Sequence, residues 1–91
     1  MNYDIITTRR FDKSLKQCIK RGLDITKLKH AVELLSNSGT LPSKYRPHKL
    51  SGNYEGVWEC HIESDWLLLW EQNDDQLILL LIDTGSHSDL F

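Results

Sequence analysis

The last two-fifths of the chain hold three β-prone runs, about Val57 to Ile62, Trp66 to Glu71 and Leu77 to Asp83. They are separated only by Glu63-Ser64-Asp65 and by Gln72 to Asp75. Parallel neighbours need a crossover of a dozen residues or more, so links this short permit only an antiparallel meander. Side chains alternate between faces along a strand, which sets Trp58, Cys60 and Ile62 on one side of the first run and Val57, Glu59 and His61 on the other. The apolar row is the one to meet a covering layer, leaving His61 on the open face. The third run is apolar on both faces, Leu77, Leu79 and Leu81 against Ile78, Leu80 and Ile82, and so belongs in a central or covered position.

The first half supplies that layer. Tyr3 to Thr7 reads as a strand, and Thr8 is an N-cap for a helix of about Arg9 to Arg21 that buries Phe11, Leu15, Cys18 and Ile19 and stops at Gly22. Its other side carries Arg9, Lys13, Lys16 and Lys20, a cationic stripe. A second helix starts after Asp24 and runs to about Ser36 with Ile25, Leu28, Val32 and Leu35 inward, before Asn37-Ser38-Gly39 ends it. The short link between the two makes a helical hairpin. Thr40 to Glu55, with Pro42, Pro47 and Gly52, reads as an irregular surface loop, a place where small domains often keep function. The expectation is one α+β domain over residues 1–91, ordered β-α-α-β-β-β, with the hairpin packed on an antiparallel sheet.

A chain of 91 residues buries only roughly 60–65% of its unfolded surface, so the core must be well filled. Hydrophobic residues make up 40% and charged residues 26%, the balance of a folded soluble protein. The N-terminus lacks the basic and apolar regions of a signal peptide, and the longest apolar run is Leu77 to Ile82, too short to span a membrane. Cys18 and Cys60 lie outside any C-x-x-C motif and read as buried free thiols in a reducing cytoplasm. The net charge of −2 hides a division. All eleven Lys and Arg fall within residues 1–49, where four acids leave +7, whereas residues 50–91 hold nine acids and no Lys or Arg. Basic and acidic surfaces follow if the halves also separate in space.

Three of the four histidines stand where proton transfer can use them: His48 in the loop, His61 on a strand's open face and His87 in the tail. Imidazole titrates near neutrality. RNA cleavage without a metal needs a base to take the 2′-hydroxyl proton and an acid to protonate the leaving 5′-oxygen. Lys44, Arg46 and Lys49 flank His48 and suit the charge gathered on phosphate. Scattered histidines are also common on surfaces, and His30, inside the second helix, is left to that reading. A Cys60–His61 nucleophilic pair is disfavoured because strand neighbours point to opposite faces. No H-x-H or H-x-x-x-H spacing marks a zinc site, and no glycine-rich phosphate loop is present.

Three segments together resemble the YafQ branch of the RelE toxin superfamily: Tyr45 to Gly52, Glu59 to Leu68, and Thr84 to Phe91. Their content, order and spacing match, and the likeness extends over the whole chain. The resemblance implies a type II toxin, a ribosome-dependent endoribonuclease that cuts mRNA in the ribosomal A site, needs no metal or other cofactor, and is held by a cognate antitoxin. Carried over residue by residue, His48 is the general base and His87 the general acid, with His61 and Asp65 positioning or stabilising the phosphate. Lys44, Arg46 and Lys49 then face RNA, and Trp66 and Phe91 match the family's aromatic positions, with core packing the alternative for Trp66. The acidic net charge sets this chain apart from the family's basic members. Two other readings stay open at this level: a gyrase-directed binding toxin of the same fold, resembling ParE, and a nuclease independent of the ribosome. An antitoxin segment is expected to cover either the basic helical face, if acidic, or the acidic sheet side, if basic.

Overall fold

The computed structural model describes residues 2–91. Strand β1, Asp4–Thr7, leads into helix α1, Arg9–Lys20, and helix α2, Ile25–Ser38. A short 3-10 turn, Ser43–Tyr45, precedes strand β2, His48–Lys49, and another, Gly52–Tyr54, precedes the meander β3, Trp58–Glu63, β4, Trp66–Asn73, and β5, Ile78–Gly85. A one-turn helix α3, His87–Leu90, ends the chain. The helices start where hydroxyl and carboxylate caps satisfy free N–H groups: Thr8 accepts from the Phe11 N–H and Asp24 from the Thr26 N–H. Helix α2 runs two residues past the expected Ser36 and stops at Gly39, whose φ of 73° lets its N–H reach the Leu35 carbonyl. A Cβ at Gly39 would also lie 2.5 Å from the Tyr3 hydroxyl, so glycine is required there twice over.

The sheet order is β1-β5-β4-β3-β2. The meander pairs as expected, but β1 lies parallel to β5, so the sheet is mixed at one edge. The αα hairpin is the crossover that makes this possible, because it carries the chain across the sheet before the meander begins. Strand β5 is therefore internal, which accounts for its two apolar faces. The stretch between α2 and β3 is more ordered than a loop: His48 and Lys49 pair with Glu59 and Trp58.

The main core lies between the helices and one sheet face. Phe11, Cys18, Leu28, Ala31 and Leu35 meet Cys60, Trp66, Leu68, Trp70, Leu79 and Leu81 there. A smaller cluster on the other face, Val57, Leu67, Leu69 and Leu90, is roofed by α3 and by Leu50. Strand β4 is thus buried on both sides, and its Trp70 stacks on Trp58 at 5.9 Å between centroids. The basic and acidic halves do not form separate surfaces throughout. Arg10 pairs with Asp83 at 2.8 Å, Arg21 with Asp89 at 2.5 Å, and Lys27 with Glu63, so three cations of the first half tie down three acids of the second. Among the described residues, Arg9, Lys13, Lys16 and Lys20 form no such pair, and the stripe on α1 stays open. Among the described residues, no helix is long and apolar enough to cross a membrane.

Candidate active site

Two carboxylate–imidazole groupings meet at the end of the sheet. In the first, the β4 end of the β3–β4 turn presents Asp65, which accepts from the His87 backbone N–H at 3.0 Å and from His87 Nδ1 at 2.7 Å. Both bonds end on the same oxygen, so Asp65 fixes the start of α3 and the tautomer of its histidine together. Nδ1 carries the proton and Nε2 is left free, on a half-exposed ring. The His87 backbone N–H, and then its ring, hold the Asp65 carboxyl below the usual carboxylate range. A carboxyl depressed on folding contributes its clasp above its unfolded value of about 3.9 and loses it only as pH falls through the lower folded value. The Asp65–His87 bond therefore stands at neutral pH.

The turn that aims His87 is built by its neighbours. Ser86 and Asp89 form a reciprocal capping box, and Arg21 at the end of α1 grips Asp89, whose carboxyl is driven well below the usual range by that guanidinium first and by the Ser86 N–H next. Gly85 has φ 155°, and a Cβ there would lie 2.9 Å from Asp89 Oδ2. Asp89 cannot yield without leaving Arg21.

The second grouping centres on Glu59, 6% exposed on β3. Its Oε1 lies 3.3 Å from His48 Nε2 and 3.9 Å from His61 Nε2. Pairing of β2 with β3 puts His48 directly across from Glu59, and the period of two puts His61 on the same face. The His61 and His87 rings stand 5.8 Å apart, so His61 joins the two groupings. His48 Nδ1 lies 2.9 Å from the carbonyl of Arg46, a residue at φ 50°, so both nitrogens of His48 face oxygen.

The sequence expectations fare unevenly against this geometry. His48, His61, Asp65 and His87 are brought together. Lys44 and Arg46 line a concavity beside His61, and Phe91 is exposed, in edge-to-face contact with Tyr54 at 5.2 Å. Lys49 is not brought in: strand alternation sends it to the opposite face, where its ammonium sits 5.5 Å from the Trp58 ring. Trp66 is 2% exposed, and its indole N–H donates to Thr84 at 3.0 Å. It packs in the core and cannot stack on RNA. Glu59 and Tyr54 were not singled out from sequence. The signal for Glu59 was present, since an acid sharing an open face with His61 and flanked by the His48 segment is placed for proton chemistry. Cys18 and Cys60 are buried and unpaired, and burial, with Glu59 next, pushes the Cys60 thiol up to about 12, outside nucleophilic use.

A family model described as the bacterial toxin of type II toxin-antitoxin systems, YafQ, matches residues 3–91, the whole of this fold and both groupings. The chain belongs to the YafQ toxin family. It is 36% identical over 89 residues to the mRNA interferase toxin YafQ of Escherichia coli strain K12, covering 97% of this chain and 95% of the relative. The toxin in the crystal structure of the E. coli DinJ–YafQ toxin-antitoxin complex superposes with a TM-score of 0.90 at 35% identity, over 100% and 99% of the two chains. A metal-bound toxin from Helicobacter pylori gives 0.89 at 37% identity, over both chains in full. Among the described residues of this chain, no three His, Cys, Asp or Glu side chains converge as metal ligands.

Proposed function

We propose that this YafQ-family chain is a cytoplasmic endoribonuclease that cuts messenger RNA on the ribosome by acid–base chemistry, and that a cognate antitoxin holds it inactive. The observation that carries the reading is the free Nε2 of His87, aimed outward by Asp65, across from a buried carboxylate flanked by two imidazoles. In the reaction, the 2′-hydroxyl oxygen bonds to the adjacent phosphorus and its proton goes to a base. The bond from phosphorus to the 5′-oxygen breaks, and that oxygen takes a proton from Nε2 of protonated His87. The ends left are a 2′,3′-cyclic phosphate and a 5′-hydroxyl.

The base is assigned to Glu59 in place of His48. Both His48 nitrogens face oxygens, an arrangement suited to donating, whereas a carboxylate accepts only. His48 then orients Glu59. His61, between the groupings, turns an N–H toward the phosphate, with Lys44 and Arg46 adding charge beside it. The exposed Phe91, backed by Tyr54, gives a nucleobase a face to stack on.

The test follows the ends produced from a defined ribosome-bound mRNA. Wild type yields a cyclic phosphate on the 5′ fragment. His87→Ala and Glu59→Gln each slow cutting about 10²–10⁴-fold, the usual contribution of one general acid or base. A Glu59→Gln protein with full activity returns the base to His48, and a 3′-hydroxyl product overturns the mechanism.

A further inference from the structure

Strand β2 pairs with only Trp58 and Glu59, so among the described residues the outer edge of β3 from His61 to Glu63 has no strand beside it. In place of a strand stands a cleft of about 350 Å³ between α2 and the 3-10 turn at Ser43–Tyr45, with His61 and Ile62 as its floor. Helix α2 gives Thr26, Lys27 and His30, which fall within little more than one helical turn, and the 3-10 turn gives Lys44 and Tyr45. A second concavity of about 300 Å³ shares Lys44, His61 and Ile62 with the first and adds Arg46, Glu63 and Ser64. The two are therefore one groove that starts at the candidate active site and runs away from it along the open edge of β3.

Its chemistry is that of a phosphodiester site. Three fixed cations, Lys27, Lys44 and Arg46, face one carboxylate, Glu63. Lys27 donates to Glu63 but has three N–H groups, so donors remain. Lys44 is held over the Tyr45 ring, 5.3 Å from its centroid, which limits its wandering. His30 is an exposed residue set in this wall with no hydrogen-bond or ion-pair partner among the described residues. Its imidazole and the Thr26 hydroxyl complete a donor set for a phosphate and the sugar beside it.

We infer that this groove is an RNA subsite, holding the nucleotide one phosphate beyond the pair that flanks the scissile phosphate, and that His30 and Lys27 position substrate without taking part in proton transfer. The inference rests on the proposed RNA cleavage, but it is read by binding alone. His61 is shared between groove and active site, so a strand threaded from one to the other presents consecutive phosphates to the two.

The test uses purified full-length toxin and fluorescent 2′-O-methyl oligonucleotides, which lack the nucleophile and cannot be cut. Wild type should bind a tetranucleotide more tightly than a dinucleotide. His30→Ala should weaken the tetranucleotide about tenfold and leave the dinucleotide within twofold. Lys27→Gln should lower the slope of log Kd against log salt by about 1, the loss of one phosphate contact. Thermal unfolding within a few degrees of wild type shows that the variants fold. Equal loss on both lengths, no loss on either, or no oligonucleotide binding by wild type each overturns the subsite. So does a His30→Ala protein that keeps tetranucleotide binding and instead loses its antitoxin. Failure of wild type to cut ribosome-bound mRNA, with the length-dependent loss intact, would sink the nuclease reading and leave the RNA groove standing.

Discussion

Replacing Trp66 by phenylalanine keeps a ring in the core but removes the N–H that reaches Thr84. Thr84 still donates to the Leu67 carbonyl, so the loss is one buried hydrogen bond plus a small void, about 1–2 kcal/mol in chemical denaturation. Thr84 precedes Gly85 and the turn that aims His87, so cleavage should fall further than stability does. Activity unchanged at that cost in stability would show that Trp66 fills space and no more. The same residue shows why its role was only half legible in the sequence. An aromatic at a matching family position reads equally as a stacking surface or as core, and only the path of β4, buried on both faces, separates them. Glu59 was harder to read, because its meaning depends on a two-residue strand, His48–Lys49, that has no periodicity to recognise. That strand also explains the loss of Lys49, since neighbours on a strand cannot both face one site.

At the scale of elements, the candidate active site hangs on how α1 is pinned to the C-terminal end of β5. Asp83, 3% exposed, accepts from Arg10 Nε at 2.8 Å and Ser14 Oγ at 2.5 Å on α1, and from the Thr84 N–H at 2.9 Å. Arg21, two turns beyond Ser14, holds Asp89 in α3. Asp83→Ala strands a buried N–H and a hydroxyl, and should cost about 2–3 kcal/mol in chemical denaturation, as expected where hydrogen bonds to a charged group are lost. A cost under about 0.5 kcal/mol would mean that apolar contacts alone dock α1. Most of this element plan was legible. Caps, glycine stops and turn lengths mark both helices and the meander, because those signals are local. The parallel pairing of β1 with β5 was not, since it joins residues from opposite ends of the chain and no local pattern encodes it.

Across the whole molecule, the charge division read from the sequence survives in part. Ion pairs absorb some of it, leaving the α1 stripe and the groove beside α2 as the open cationic surfaces. We predict that an antitoxin segment rich in acids docks on the open stripe of Arg9, Lys13, Lys16 and Lys20, and electrostatic steering of that kind weakens as salt rises. The toxin–antitoxin association rate should therefore fall at least tenfold between 50 mM and 500 mM salt, a drop that reversing the charge of two stripe lysines abolishes. A rate indifferent to salt would place the antitoxin on apolar surface instead. The small size of the fold also explains why the ribosome belongs in the proposal. A chain of 91 residues offers little surface with which to force RNA into the in-line geometry unaided.

The most direct test adds wild-type protein or His87→Ala to a defined mRNA, with and without programmed ribosomes. The account predicts discrete cuts by wild type only when ribosomes are present, and none above background by His87→Ala under any condition. Intact mRNA with wild type on ribosomes, or equal cutting by His87→Ala, would contradict it.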